Sequence, residues 1–330
     1  MKKSVLALAV LGTLAASAFA QSSVTIYGIV DAGITYDSGS SAAGSVVRMD
    51  SGIQSGNRLG FKGTEDLGGG MSALFVLENG FTIANGALGQ GGLLFGRQSY
   101  VGVGNRIGQV RVGRQYTPGY VALRDLIDPM ADGFAGAGNR LMLTGSTRLN
   151  NTLDFITSEN LGGFYGEAQY SFGGVAGNSK GSSGQAIGAG YTGGPVSGKL
   201  TYQTAYDALG VNATRNLLLG GTYDFGPVKA HLGYGTNKDD ATLDTRDWLA
   251  GVTVPFGANT FLASYIRKTD RRNANADANM ISLAYTYALS KRTNVYTSFA
   301  RLANGNAAAY GVAVAGTTDK TFNVGIRHKF

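Results

Sequence analysis

The feature that most restricts how this chain can fold is a two-residue rhythm of apolar and polar side chains that starts at Ser23 and returns up to the last residue. In Ser23 to Tyr36, Val24, Ile26, Val30, Ala32 and Ile34 share one face, and Thr25, Tyr27 and Asp31 share the other. Such alternation marks an extended strand with one dry and one wet side, here longer than most strands of soluble proteins. Further strands read within 45 to 65, and at 71 to 81, 97 to 104, 109 to 115, 148 to 158, 163 to 172, 185 to 192, 196 to 206, 215 to 224, 228 to 235, 246 to 254, 259 to 269, 279 to 288, 293 to 302 and 320 to 330, sixteen in all. Phe164, Ala168, Tyr170 and Phe172 oppose Tyr165, Glu167 and Gln169, while Leu200, Tyr202 and Tyr206 oppose Lys199, Thr201 and Gln203. In 71 to 81 and 259 to 269 apolar residues fall on both faces, so parity assigns neither; a neighbouring subunit or a loop would cover them.

The connections alternate in length. Asp66 to Gly70, Asn105 to Gly108, Glu159 to Gly162, Gly193 to Pro195, Phe225 to Pro227, Pro255 to Ala258 and Leu289 to Arg292 are tight turns, and longer polar segments such as 173 to 184, 236 to 245, 270 to 278 and 303 to 319 lie between them. Short turns at one end and long loops at the other are the pattern of an outer-membrane β-barrel, and a soluble sandwich has no need of it. With 52 Gly, 5 Pro, 17 Tyr and 15 Phe, long helices are disfavoured. After residue 20 no stretch has 18 consecutive apolar residues, which rules out a transmembrane helix but not strands that cross a membrane. The expected fold is all-β, a 16-stranded antiparallel transmembrane barrel.

One connection is unlike the rest. Tyr116 to Thr147 runs about 30 residues without alternation, and such segments are usually functional. It mixes short apolar runs with Arg124, Asp125, Asp128 and Asp132, as suits a loop folded against an interior wall. Residues 116 to 147 are therefore expected inside the barrel, narrowing the hole.

Residues 1 to 20 form a separate unit: Lys2 and Lys3, an apolar run from Val5 to Ala16, then Ala18-Phe19-Ala20 as a cleavage site, the plan of a secretory signal peptide. Removal leaves residues 21 to 330 as one barrel domain with 26 basic and 21 acidic residues, a formal charge of +5. There is no Cys, which excludes disulfides and thiol chemistry. Of the two histidines, His328 lies on the expected lipid face. His231 looks inward but has no Ser or Asp motif beside it, so an enzyme is not expected. No Walker, Rossmann or zinc pattern is present, and no cofactor or metal is expected. Basic residues are spread over many strands, so nucleic acid is not an expected partner.

The segments SVTIYGIVDAGI (23 to 34), RLGFKGTEDLGGGMSALFVLENGF (58 to 81), GRQSYVGV (96 to 103), VGRQY (112 to 116), TRLNNTLDF (147 to 155) and VGIRHKF (324 to 330) together resemble the Gram-negative general porins of the betaproteobacterial type, over nearly the whole chain. The resemblance implies a homotrimer of sixteen-stranded barrels in the cell outer membrane, in contact with membrane lipid and lipopolysaccharide, passing small hydrophilic solutes and ions. It also implies that 116 to 147 is the third loop, folded in as a constriction. On the family pattern Arg58, Arg97 and Arg148 take the positions of an arginine ladder, faced by the loop carboxylates Asp125 and Asp128. Lys62, Asp31, Glu167, Lys199, His231 and Asp132 are further expected pore-lining residues. Where enteric relatives often carry a lysine on the first strand, this chain has Ile29, and Arg114 reads as turned away from the lumen. Opposed charges at a narrow point select ions, and three ladder arginines predict a mild anion preference. The alternatives are a channel selective for a sugar or an anion, which would want an aromatic slide or dense lysines, and a barrel enzyme.

Overall fold

The computed structural model describes residues 23–142, 144–158, 161–272 and 276–330. The expected leader, 1 to 20, lies outside the described residues. Among the described residues seventeen strands form one antiparallel sheet that closes on itself. They are β1 (Ser23–Asp37), β2 (Val46–Ser51), β3 (Arg58–Gly68), β4 (Met71–Gly80), β5 (Gln98–Gly104), β6 (Gly108–Tyr116), β7 (Arg148–Thr157), β8 (Phe164–Ser171) and β9 (Gly184–Gly193). The rest are β10 (Val196–Tyr206), β11 (Ala213–Asp224), β12 (Lys229–Lys238), β13 (Asp244–Phe256), β14 (Asn259–Asp270), β15 (Ala278–Ala288), β16 (Thr293–Asn304) and β17 (Thr318–Lys329).

The seventeen strands fill sixteen positions in the wall. One edge of β1 pairs with β17 through Ile29 to Asp37. Its other edge pairs with β3 through Ser23 to Ile29 and with β2 through Ala32 to Asp37. β2 and β3 are thus two halves of one staves-length of wall, parted by an excursion at 52 to 57. Closure leaves no unpaired strand edge, the condition for a sheet to sit in lipid. At the seam Gly28 and Phe330 exchange both backbone hydrogen bonds at 3.1 Å. The expected turn at 159 to 162 lies partly outside the described residues; at the first tight turn Gly68, Gly69 and Gly70 reverse the chain with φ of 80°, 62° and 77°, values that side-chain-bearing residues avoid.

Leu219, Leu232, Trp248, Tyr265, Ile281, Leu283, Phe299 and Phe322 are exposed on the outward face. In water so wide an apolar surface would be a liability; in a bilayer it is buried. The opposite parity carries Leu218, Leu249, Ile266, Met280 and Leu302, all essentially fully buried, and the long loop is what buries them.

That loop begins as a short helix, α1 (Pro118–Ala122), whose N-terminus is capped by Thr117 Oγ1 accepting from the Tyr120 amide at 3.3 Å, with Pro118 in the first turn where no amide is needed. A single π turn follows over Leu123–Ile127. Leu123, Ile127, Leu141 and Met142 pack against the inner side chains of β11 and β13–β16, and Met130 packs on Leu262 and Ala284. Burying each such side chain contributes roughly 1.5–3 kcal/mol. This accounts for the double-faced apolar pattern of 259 to 269: Leu262 and Ile266 meet the loop, while Phe261 and Tyr265 face outward. The wall makes room with glycine. A methyl group built on Gly233 would stand 2.5 Å from Ile127 Cγ2, and one on Gly220 would stand 2.7 Å from Ile127 Cδ1. The far part of the loop is tied by the Ala135 amide to Ser298 Oγ at 2.9 Å, the Phe134 amide to the Ile53 carbonyl at 2.6 Å, and Arg140 to Asp319 at 2.7 Å.

Candidate pore constriction

The loop lies along the inner face from β9 round to β17, and what it leaves open is the space in front of β3 and β5–β8. Tyr116, at the end of β6, stands at the root of the loop. Its ring stacks on Tyr120 with centroids 5.2 Å apart. The guanidinium carbons of Arg148, Arg124 and Arg97 lie 4.4, 4.8 and 5.9 Å from its ring centroid. Arg97 and Arg148 also donate to its hydroxyl at 2.6 and 2.9 Å. The ring face attracts each cation, yet three cations about one ring repel one another unless charge is compensated.

Compensation is uneven. Arg97 is 6% exposed and paired with Glu78 at 2.8 Å, and Glu78 also accepts from Tyr27. Arg124 forks onto Asp125 with both contacts at 2.6 Å. Arg58 donates to the Gly56 carbonyl, and Arg327 donates to Asn294 and Ser55. Among the described residues no carboxylate pairs with Arg58, Arg148, Arg327 or Lys329. Two adjoining cavities of about 310 and 400 Å³ lie here. Arg58, Arg97, Arg111, Arg124, Lys199, Arg327 and Lys329 line them, against the acids Asp125, Asp132, Asp154 and Glu167.

Several expected positions take other roles. Asp128, read as a pore-facing carboxylate, is 3% exposed and turned into its own loop, where it accepts from the amides of Met130, Asp132 and Gly138 at 3.0, 3.0 and 2.8 Å. Burial pushes its carboxyl up to about 7 against the pull of those three donors. Arg97 is a strut inside the wall, and its partner is a wall carboxylate. Asp31 points inward, as its parity requires, but is 0% exposed beneath Tyr296 and the Ser55 amide. His231 lines a further cavity of about 550 Å³ with Lys199 and Lys229, and its Nδ1 meets the Leu126 carbonyl and its Nε2 meets Thr253, both at 3.1 Å, which ties the π turn to the wall. Lys199 and Glu167 pair at 3.1 Å on the floor of the smaller cavity, and Lys62 is exposed over the Tyr27 ring. Asp132 sits at the loop edge with Asn139, and burial raises its carboxyl to about 6.

Arg148 reaches Tyr116 by a route that strict alternation does not give. The pairing of β6 with β7 shifts between Gly113 and Gln115, and Asn151 has a φ of 51°. That bulge turns Asn150 to the side of Arg114, which donates to it and to the Gly96 carbonyl. Of the basic residues that line these cavities, Arg111, Arg327 and Lys329 are not among the expected site residues. The signal was present for all three, since Arg111 lies between outward Val110 and Val112, and Arg327 and Lys329 oppose Ile326 and Phe330.

A model of the Gram-negative porin family matches residues 7–307. An outer membrane porin protein of Bordetella pertussis is 32% identical, and outer membrane porin protein 32 of Delftia acidovorans is 34% identical, each alignment covering all of both chains. Among solved structures, the anion-selective porin from Comamonas acidovorans superposes with a TM-score of 0.82 at 31% identity, covering 94% of this chain and all of that one. OmpF of Salmonella typhi shares the fold at 16% identity, with a TM-score of 0.71. With a closed sixteen-position barrel, an apolar outer belt and a charged bore, this chain belongs to the Gram-negative porin family, and it is an outer-membrane channel for passive diffusion of small hydrophilic solutes rather than an enzyme.

Proposed function

We propose that 116 to 147 is the constriction of this channel and that the gap between the loop edge and the facing wall is its filter, with a mild preference for anions. The observation that carries this reading is the charge imbalance at the gap: Arg58, Arg327 and Lys329 line it and Arg148 stands beside it on the Tyr116 ring, all without carboxylate partners among the described residues. Fixed positive charge in a narrow aqueous space between low-dielectric walls concentrates anions. Asp125 and Asp132 on the loop edge oppose it and keep the preference small. The charge asymmetry accords with the relative from Comamonas acidovorans being an anion-selective porin. We further infer cleavage after Ala20 and assembly as a homotrimer surrounded by outer-membrane lipid and lipopolysaccharide.

The test is planar-bilayer conductance in a KCl gradient, wild type beside Arg58→Ala. Conductance rising in steps of three, a reversal potential of the anion sign, and a shift toward cations in the variant are expected. A wild-type reversal potential of the cation sign overturns the anion preference, and an unshifted variant moves the filter away from Arg58.

A further inference from the structure

On the outward face Arg301 of β16 and Lys320 of β17 are direct partners in the antiparallel register. Both are exposed, and among the described residues neither has an ion pair or a side-chain hydrogen bond. Like charges placed directly opposite have Cβ atoms roughly 4.5–5.5 Å apart and destabilise the pair. An unpaired state is not the rule at this rim, since outward Arg267 on β14 has Asp277 at 2.6 Å. A single anion held between Arg301 and Lys320 would remove the repulsion.

Immediately below, two residues further along both strands, Phe299 and Phe322 are also direct partners. They form the upper edge of an apolar cleft of about 320 Å³ that runs across the outer wall past Leu283 and Tyr285. The cleft exists because Ala263 and Thr297 are short where their outward neighbours are aromatic or branched. A cation pair above an apolar cleft, both on the lipid-facing side, matches a molecule with a phosphate at its head and an acyl chain below.

We propose that this face binds a phosphorylated, acylated glycolipid of the outer leaflet, of the lipid A type, with its phosphate shared by Arg301 and Lys320 and an acyl chain in the cleft. The choice of leaflet rests on the porin reading, because both cations lie at the strand ends that border the long connection 305 to 317, the side that faces away from the periplasm.

The full protein, refolded in detergent free of lipopolysaccharide, would be titrated with bisphosphorylated lipid A, with the same lipid stripped of its phosphates, and with phosphatidylglycerol, bound lipid being counted by native mass spectrometry. The variants are the double substitution Arg301→Gln with Lys320→Gln, and Ala263→Trp, which fills the cleft. Wild type is expected to bind lipid A, each variant at least tenfold more weakly, and the stripped lipid no better than the double variant binds the intact one. Equal binding by wild type and the double variant overturns the proposal, as does equal binding of stripped lipid or of phosphatidylglycerol. A change in oligomeric state in the double variant would give the face to a second copy and also overturn it. Conductance measured in parallel is expected to be unchanged in both variants, and a wild type that fails to conduct would count against the pore reading while leaving the lipid titration readable.

Discussion

At the scale of the residue, the bore contains two kinds of charge, those consumed by a partner and those left over. Arg97 belongs to the first kind. Its removal strands Glu78 in a buried site, and breaking such a pair costs about 3–5 kcal/mol. Arg97→Ala is therefore expected to lower the unfolding temperature of the detergent-solubilised barrel markedly, whereas Arg58→Ala, which leaves no carboxylate behind, should hardly move it; circular dichroism melts of the two variants separate these outcomes. Asp132 belongs to the loop edge, with its carboxyl raised to about 6 by burial. Above that pH it is ionised and opposes the arginines, and below it the negative charge disappears. Anion over cation permeability should consequently rise as pH falls from 7.5 to 5, and the rise should be smaller in Asp132→Asn, where the buried Asp128 carboxyl still titrates in that window. An equal rise in that variant would assign the titration elsewhere. Parity in the sequence put Arg58 opposite Leu59 and Phe61, and Arg114 with Val110 and Val112, because strand alternation needs no tertiary knowledge. It could not find the role of Asp128, whose three amide donors come from a loop conformation with no period to read.

At the scale of the element, the loop is held by apolar packing more than by charge. Ile127 fills a space that the absence of side chains at Gly220 and Gly233 provides. Gly233→Leu should evict it and lift the π turn off the wall. The expected result is a larger and noisier single-channel conductance, with the heat resistance of the barrel retained; an unchanged, quiet channel would show that the loop does not set the bore. The sixteen wall positions were legible in the sequence because most strands carry their own alternation and most turns a glycine. The division of one position into β2 and β3 was not, since 45 to 65 offers no marker of where pairing lapses. The bulge at Asn151 was hidden for a similar reason: one residue out of register leaves the neighbouring types unchanged while reversing which side they face. The apolar inner residues of β14 were visible as an anomaly, and the loop that covers them resolves it.

At the scale of the whole molecule, closure depends on the seam between β1 and β17, which ends in the reciprocal pair Gly28 and Phe330. Deleting Phe330 should lower the temperature at which the barrel loses its compact, heat-modifiable mobility on gels, and the same shift should appear whatever salt is present, because the lost contacts are hydrogen bonds and packing rather than ion pairs. A salt-dependent shift would argue for a different origin. The loop has a mechanical side as well. It leaves the wall at β6, is cemented to β11 and β13–β16, and is pinned at Ser298 of β16 and, beyond, at Asp319 and the carbonyl of Ile53. A hoop is easily squeezed into an ellipse, but a hoop with a chord fastened across it is not. The loop is fastened like a cross-brace, so lateral pressure from the surrounding bilayer meets a tube stiffened from within.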